Sequence, residues 1–229
     1  APSKGTPIAR LSAFVNEVET HSPFRKKLLP EVSAMFTELA PYAGFGMKLV
    51  FGNVWLFGPV LKAVMPAISA QAGAMLKTTI AFTVQKGSDA YNVLPQEAYV
   101  GANMRFIPHQ GEKESLEIIK KVAGKYGLET EVLHANDYTP PVDIHGEAFH
   151  LVEQTIADTF PGLPSSPYVM TGATDAQFYQ PICKSCIRFA PVVYGPEQMK
   201  GMHGLNENIE YNCLPGAVRF YKNLIRAEK

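Results

Sequence analysis

At 229 residues, 46% hydrophobic and 18% charged, the chain can bury a substantial core as one large or two modest domains. Its 21 Lys and Arg balance 21 Asp and Glu, which leaves no net field to hold a polyanion and argues against a nucleic-acid partner. Small molecules or a second copy are the expected partners, and three cysteines, too few and too odd for a disulfide framework, point to a reducing, cytoplasmic compartment.

The first predicted element is a helix over Pro7–Glu19, because Pro7 suits a helix start and Ile8, Leu11, Val15 and Val18 recur at three- and four-residue spacing. Residues 23–76 are apolar and punctuated by Pro and Gly, which predicts two or three short helices. Lys48, Asn53, Pro59, Lys62 and Pro66 interrupt the most apolar part, so no membrane span is expected. Core packing is the expected role of Phe51, Trp55 and Phe57, although an acyl chain held there is a rival reading.

After Lys77 the period changes to two. Ile80, Phe82 and Val84 share one face of a predicted strand, and Lys86–Asp89 supplies a turn. A second strand over Ala98–Ile107 carries Val100, Ala102, Met104 and Phe106 on one face and Tyr99, Asn103 and Arg105 on the other. A helix over Glu112–Tyr126 ends at Gly127, and Leu128–Leu133 is a third candidate strand. Helix, strand, strand, helix, strand is a split, ferredoxin-like layout lacking its first strand, so the amino terminus is expected to fall inside a domain.

Thr139-Pro-Pro141 is the candidate boundary, since paired prolines continue neither a helix nor a ladder. Beyond it the expected rhythm is α/β. Helices are predicted at His145–Thr159, after Thr174 and at Pro215–Arg226, with strands at Tyr168–Met170 and Ile187–Ala190.

Taken singly, the polar segments have ordinary structural readings. His203, between glycines in Gly201-Met-His-Gly-Leu-Asn-Glu207, suits a ligand loop but is more commonly a surface residue. Thr174 or Asp175 is explained by helix capping, and Cys183-Lys-Ser-Cys186, with no second pair, by burial as small hydrophobes.

Their order is more specific. Thr171-Gly-Ala-Thr-Asp-Ala-Gln-Phe-Tyr179, Arg188-Phe-Ala-Pro191, Met202-His-Gly-Leu-Asn-Glu207 and a terminal Phe-Tyr-Lys-Asn-Leu-Ile helix occur in one sequence. This series resembles the aminoacylase/carboxypeptidase family of co-catalytic zinc hydrolases, and within it the carboxypeptidase S and Gly-X carboxypeptidase type.

The resemblance implies an α/β (α+β) protein. Residues 1–138 would be a ferredoxin-like lid or dimerisation domain with a helical insertion at about 23–76, and 139–229 the carboxyl-terminal part of a zinc-exopeptidase domain. It assigns His203 as a metal ligand, one of the set for two zinc ions. Asn92 and Arg105 become substrate contacts, with the arginine on the substrate carboxylate, and Gly172 and Thr174 line the cleft. A guanidinium suits that task because it binds a carboxylate bidentately and keeps its charge.

The implied substrate is a peptide or N-acyl amino acid with a free carboxylate, cleaved at an amide bond, and homodimerisation would use the lid. The family's other zinc ligands and its glutamate base match nothing here, so no catalytic residue is assigned and this chain alone is expected to be inactive and to hold zinc weakly or not at all. The alternative from another class is a stand-alone dimerisation or binding module.

Overall fold

The computed structural model describes residues 4–136, 138–172 and 174–228. Helix α1, Pro7–Thr20, buries Leu11, Phe14 and Val18 on one stripe. Four α-helices and a 3-10 turn follow where two or three helices were expected: α2 Pro30–Leu39, the turn Ala40–Tyr42, α3 Phe45–Gly52, α4 Val54–Ile68 and α5 Ala70–Ala74. Their core gathers Val32, Met35 and Phe36 of α2 with Val54, Leu61 and Met65 of α4, Met75, Leu76 and Ile107. Phe51 joins it, its ring 4.7 Å from that of Phe36. Trp55 does not; it is 81% exposed, which corrects the packing expected of it.

Strands β1, Thr79–Lys86, and β2, Tyr99–Arg105, form an antiparallel hairpin. The register pairs Thr79 with Arg105 and Lys86 with Tyr99, and shifts between Phe82 and Val84. That bulge at Thr83 corrects the predicted face. One extra residue on β1 reverses the alternation beyond it, so Ile80 and Phe82 face the core while Val84 is exposed.

Helix α6, Glu112–Lys125, closes this layer with Ile119, Val122 and Ala123. It ends as predicted. Gly127 has φ +64°, its N–H donates to Gly124 O at 3.0 Å, and the Leu128 N–H donates to Ala123 O at 3.1 Å, which together form a Schellman end. Phe14 meets Phe82 edge to face at 5.7 Å. Glu17 accepts from Lys125 Nζ at 2.8 Å and from the Tyr126 hydroxyl, joining α1 to the end of α6.

Between the two apolar clusters sits a polar knot. Gln110 Oε1 accepts from the Arg25 N–H at 3.1 Å, while Gln110 O accepts from Ser115 Oγ at 2.8 Å and Thr78 Oγ1 at 3.1 Å. All three side chains are fully buried, and each has a partner, as a dry interior requires.

Three predicted strands are absent: Leu128–Leu133, Tyr168–Met170 and Ile187–Ala190 have no ladder. A strand exists only with a neighbour to pair with. In the ferredoxin-like layout the last strand lies beside the first, and no strand precedes α1 among the described residues. The chain is therefore a mixed helical structure with a small antiparallel sheet, without the full ferredoxin-like order.

After the prolines, α7 Glu147–Thr159 packs against α10 Leu214–Ala227. Asn223 Nδ2 donates to Thr159 Oγ1 at 3.0 Å, and Phe220, 1% exposed, meets Phe189 at 4.8 Å. Between them lie α8, Ala176–Tyr179, and α9, Pro196–Gly201, the latter not predicted. Among the described residues no single helix is long and apolar enough to cross a membrane.

Candidate functional site

The segment around His203 is bracketed by one buried side chain. Gly195, Pro196 and Gln198 start α9, with the Gly195 N–H donating to Gln198 Oε1 at 3.1 Å. This one-way cap uses the glutamine at the third helical position to cover the amide that precedes the helix. Gln198 Nε2 then donates to Asn208 Oδ1 at 3.1 Å and to Glu210 Oε1 at 3.5 Å. One residue thus ties the entrance of the helix to the exit of the loop that follows it.

Inside that bracket the loop turns sharply. His203 and Asn206 both have left-handed backbones, with φ 60° and 61°. A side chain in that region costs on the order of 1–2 kcal/mol, which the surrounding bonds must offset. Gly204 N–H donates to Gly201 O at 2.9 Å, Asn208 Nδ2 to Asn206 O at 2.8 Å, and the His203 N–H to Glu207 Oε2 at 3.2 Å. The result is an exposed imidazole on a braced, turned-out backbone. Gln198 was not singled out from the sequence, although Gly-Pro-Glu-Gln is a readable capping pattern.

The remaining assigned residues are dispersed. Gly172 is exposed and Thr174 half-buried before α8, and the Thr174 carbonyl accepts from the Gln177 N–H at 3.2 Å. Asp175, the residue before α8, makes no side-chain cap bond. Beside it lies an open cleft of about 380 Å³ between residues 136–140 and α8, lined by Asn136, Tyr138, Gln177 and Phe178.

Arg105 is the exposed last residue of β2, opposite Thr79. Asn92 is exposed in the connection beyond the other end of the hairpin, past the Lys86–Tyr99 pair. The ladder between those ends runs for about 20 Å. Among the described residues Arg105 has no ion pair, and no hydrogen bond joins Arg105 or Asn92 to the Thr174 turn or the His203 loop. The chain keeps the cation free and holds these residues as separate features.

The donor set does not make a metal centre by itself. Among the described residues no group of three or more His, Cys, Asp or Glu side chains is gathered for a metal ion. A catalytic zinc is ordinarily held by three protein ligands, and His203 supplies one imidazole. The cysteines add nothing. Cys183 is exposed, correcting its expected burial, and the half-buried Cys186 thiol donates to Cys183 O at 3.3 Å, its pKa pushed up by burial and then by its bond to Cys183.

Comparison with known proteins places this arrangement. The profile of the peptidase family M20/M25/M40 matches residues 25–227. The N-fatty-acyl-amino acid synthase/hydrolase PM20D1 of Xenopus tropicalis is 31% identical over 233 residues, covering 98% of this chain and 44% of that protein. A probable carboxypeptidase S-like 2 of Dictyostelium discoideum is 24% identical over 226 residues, covering 98% of this chain and 43% of its own length. A succinyl-diaminopimelate desuccinylase of Xanthomonas campestris is 26% identical over 153 residues, covering 62% of this chain and 36% of that enzyme. No solved structure matches the chain. The chain spans less than half the length of these curated relatives. With the family profile extending over nearly all of its residues, the chain belongs to peptidase family M20/M25/M40.

Proposed function

We propose that this chain is the lid and the closing part of the metal-binding domain of a zinc-dependent amidohydrolase that cleaves an amide bond in peptides or N-acyl amino acids. The division falls at Thr139-Pro-Pro141, with residues 1–138 as lid, 23–76 as its helical insertion, and 139–229 as the end of the metal-binding domain. The observation that carries this reading is the His203 loop: an exposed imidazole on a left-handed backbone, braced by Gln198, Glu207 and Asn208, within a chain of this peptidase family.

In this reading His203 is one ligand of a zinc site completed by donors outside this chain. Arg105 binds the substrate carboxylate, and its free guanidinium supports that role; Asn92 orients the substrate, and the turn at Gly172 and Thr174 lines a substrate cleft completed by the rest of the enzyme. The chain supplies no general base, so the 229 residues alone are inactive. Pairing of two copies through the lid and a cytoplasmic location, for which the three unpaired thiols speak, belong to the same reading.

The test is His203→Ala in the longest native reading frame containing this chain, with zinc content and hydrolysis of an N-acyl amino acid measured together. Turnover falling by roughly a thousandfold or more with loss of bound zinc supports the assignment. Unchanged turnover at full zinc content refutes it. Arg105→Ala should raise KM for a carboxylate substrate and leave KM for its carboxamide analogue unchanged.

A further inference from the structure

Helix α4 is apolar on two of its faces. Its buried stripe, Val54, Gly58, Leu61 and Met65, faces the first core, while a second stripe, Leu56, Val60, Val64 and Ile68, recurs at four-residue spacing and is exposed throughout. A helix of a water-soluble domain ordinarily turns polar residues outward, and a stripe of this length in water marks an interaction surface. The surface continues onto α3, which buries no residue and presents Phe45 at 89% exposure. Trp55, at the corner between the helices, is 81% exposed.

The charges around this surface select its partner. From Leu39 to Ser88 the chain has no Asp, Glu, His or Arg, and its charged residues there are Lys48, Lys62, Lys77 and Lys86. Lys48 lies on α3 and Lys62 on α4, and among the described residues neither forms an ion pair. Apolar side chains, a corner tryptophan and unpaired lysines in a stretch of sequence without acids match the apolar interior, headgroup boundary and negative surface of an anionic bilayer.

Length and angle make the contact superficial. At about 1.5 Å per residue α4 reaches about 22 Å, short of the ~30 Å hydrocarbon layer. The α3–α4 pair is bent by 111°, which suits a corner lying in the interface and not a rod across it.

We propose that the α3–α4 corner docks this protein on anionic lipid surfaces, with Phe45, Trp55 and the Leu56–Ile68 stripe inserted and Lys48 and Lys62 on headgroup phosphates. The inference is independent of the hydrolytic reading.

Trp55 is the one tryptophan, so its emission reports directly on this corner. With the full chain and vesicles of phosphatidylcholine and phosphatidylglycerol, Trp55 emission moves to the blue, less so on phosphatidylcholine alone, and salt weakens the binding. Lys48→Glu with Lys62→Glu weakens binding to the mixed vesicles roughly tenfold or more and leaves binding to phosphatidylcholine unchanged. Leu56→Ser, Val60→Ser and Val64→Ser combined, all at exposed positions, weaken binding to both by at least about tenfold.

Emission unmoved by vesicles overturns the proposal. A blue shift in buffer that grows with protein concentration also overturns it, since a second copy then covers the face. A shift produced by a monomeric N-acyl amino acid without vesicles would assign the stripe to substrate instead.

Discussion

In the layer made by α1, the hairpin and α6, the apolar faces turned toward one another form a single cluster: Phe14 meets Phe82, Val18 joins Ile119 and Val122, and Glu17 is held by Lys125 and Tyr126. From Leu128 to Cys213 the chain behaves differently. Outside α7 it carries exposed Leu133, Ile182 and Leu205, helices of four and six residues and no strand among the described residues, and around the His203 loop its order is polar, in the bonds of Gln198. The contrast shows that order in the first region is set by burial, and at the proposed metal-ligand loop by hydrogen bonds that fix a backbone turn.

The largest test of that contrast is Phe14→Ala. Truncating this buried ring should cost about 3–5 kcal/mol, read as a fall in the urea midpoint at unchanged slope. A loss below about 1 kcal/mol would mean that α1 is not integral to the layer.

Gln198→Ala should cost less, about 1–3 kcal/mol, because a few hydrogen bonds at a buried site are lost. Its effect should be local. Amide exchange should speed up over 203–208 and stay unchanged in β1 and β2; equal acceleration in both would erase the distinction between the regions.

Gly127→Ala comes next, at about 1 kcal/mol, since φ +64° is unfavourable for a side chain. The added Cβ would also meet Arg10 Nη1 at 3.0 Å. An unchanged melting temperature would show that the end of α6 can be rebuilt without its left-handed residue.

The smallest effect is a pH dependence. Bonds from Lys125 and then Tyr126 hold the Glu17 carboxyl below its ordinary range, and the bond to Glu17 holds the Tyr126 phenol above its own. The Glu17 contribution is therefore present above the unfolded carboxylate pKa and lost as pH falls through the folded one. The Tyr126 contribution is present below the unfolded phenol pKa and lost as pH rises through the folded one. Tyr126→Phe should remove the phenol's share of the alkaline loss and soften the acid one, as followed by thermal melts across pH; an unaltered profile would show that the bond carries no linkage.

The same contrast explains what could be read from sequence. Pro7, the apolar spacing of α1, the period-two run of β1 and the Gly127 stop are local signals, and each produced its element. The bulge at Thr83 was hidden because a single inserted residue leaves the composition unchanged while reversing the face of Val84. Leu128–Leu133, Tyr168–Met170 and Ile187–Ala190 have strand-like composition, but a ladder is a property of two strands and none of the described residues pairs with them. Trp55 was misplaced for a related reason: periodicity finds a second apolar stripe on α4 without saying which stripe has a partner. His203 was singled out through the order of its neighbouring motifs. Its bracing by Gln198 depends on Asn208 and Glu210, which no local pattern connects to the capping of α9.

The most direct test is zinc content, measured by mass spectrometry on the 229-residue chain, on the longest native reading frame that contains it, and on His203→Ala in both. If His203 is one ligand of a set completed elsewhere, the chain alone retains well under one zinc per molecule, and the longer protein binds zinc tightly and loses it on His203→Ala. Stoichiometric zinc on the 229-residue chain, undiminished by His203→Ala, would contradict the account.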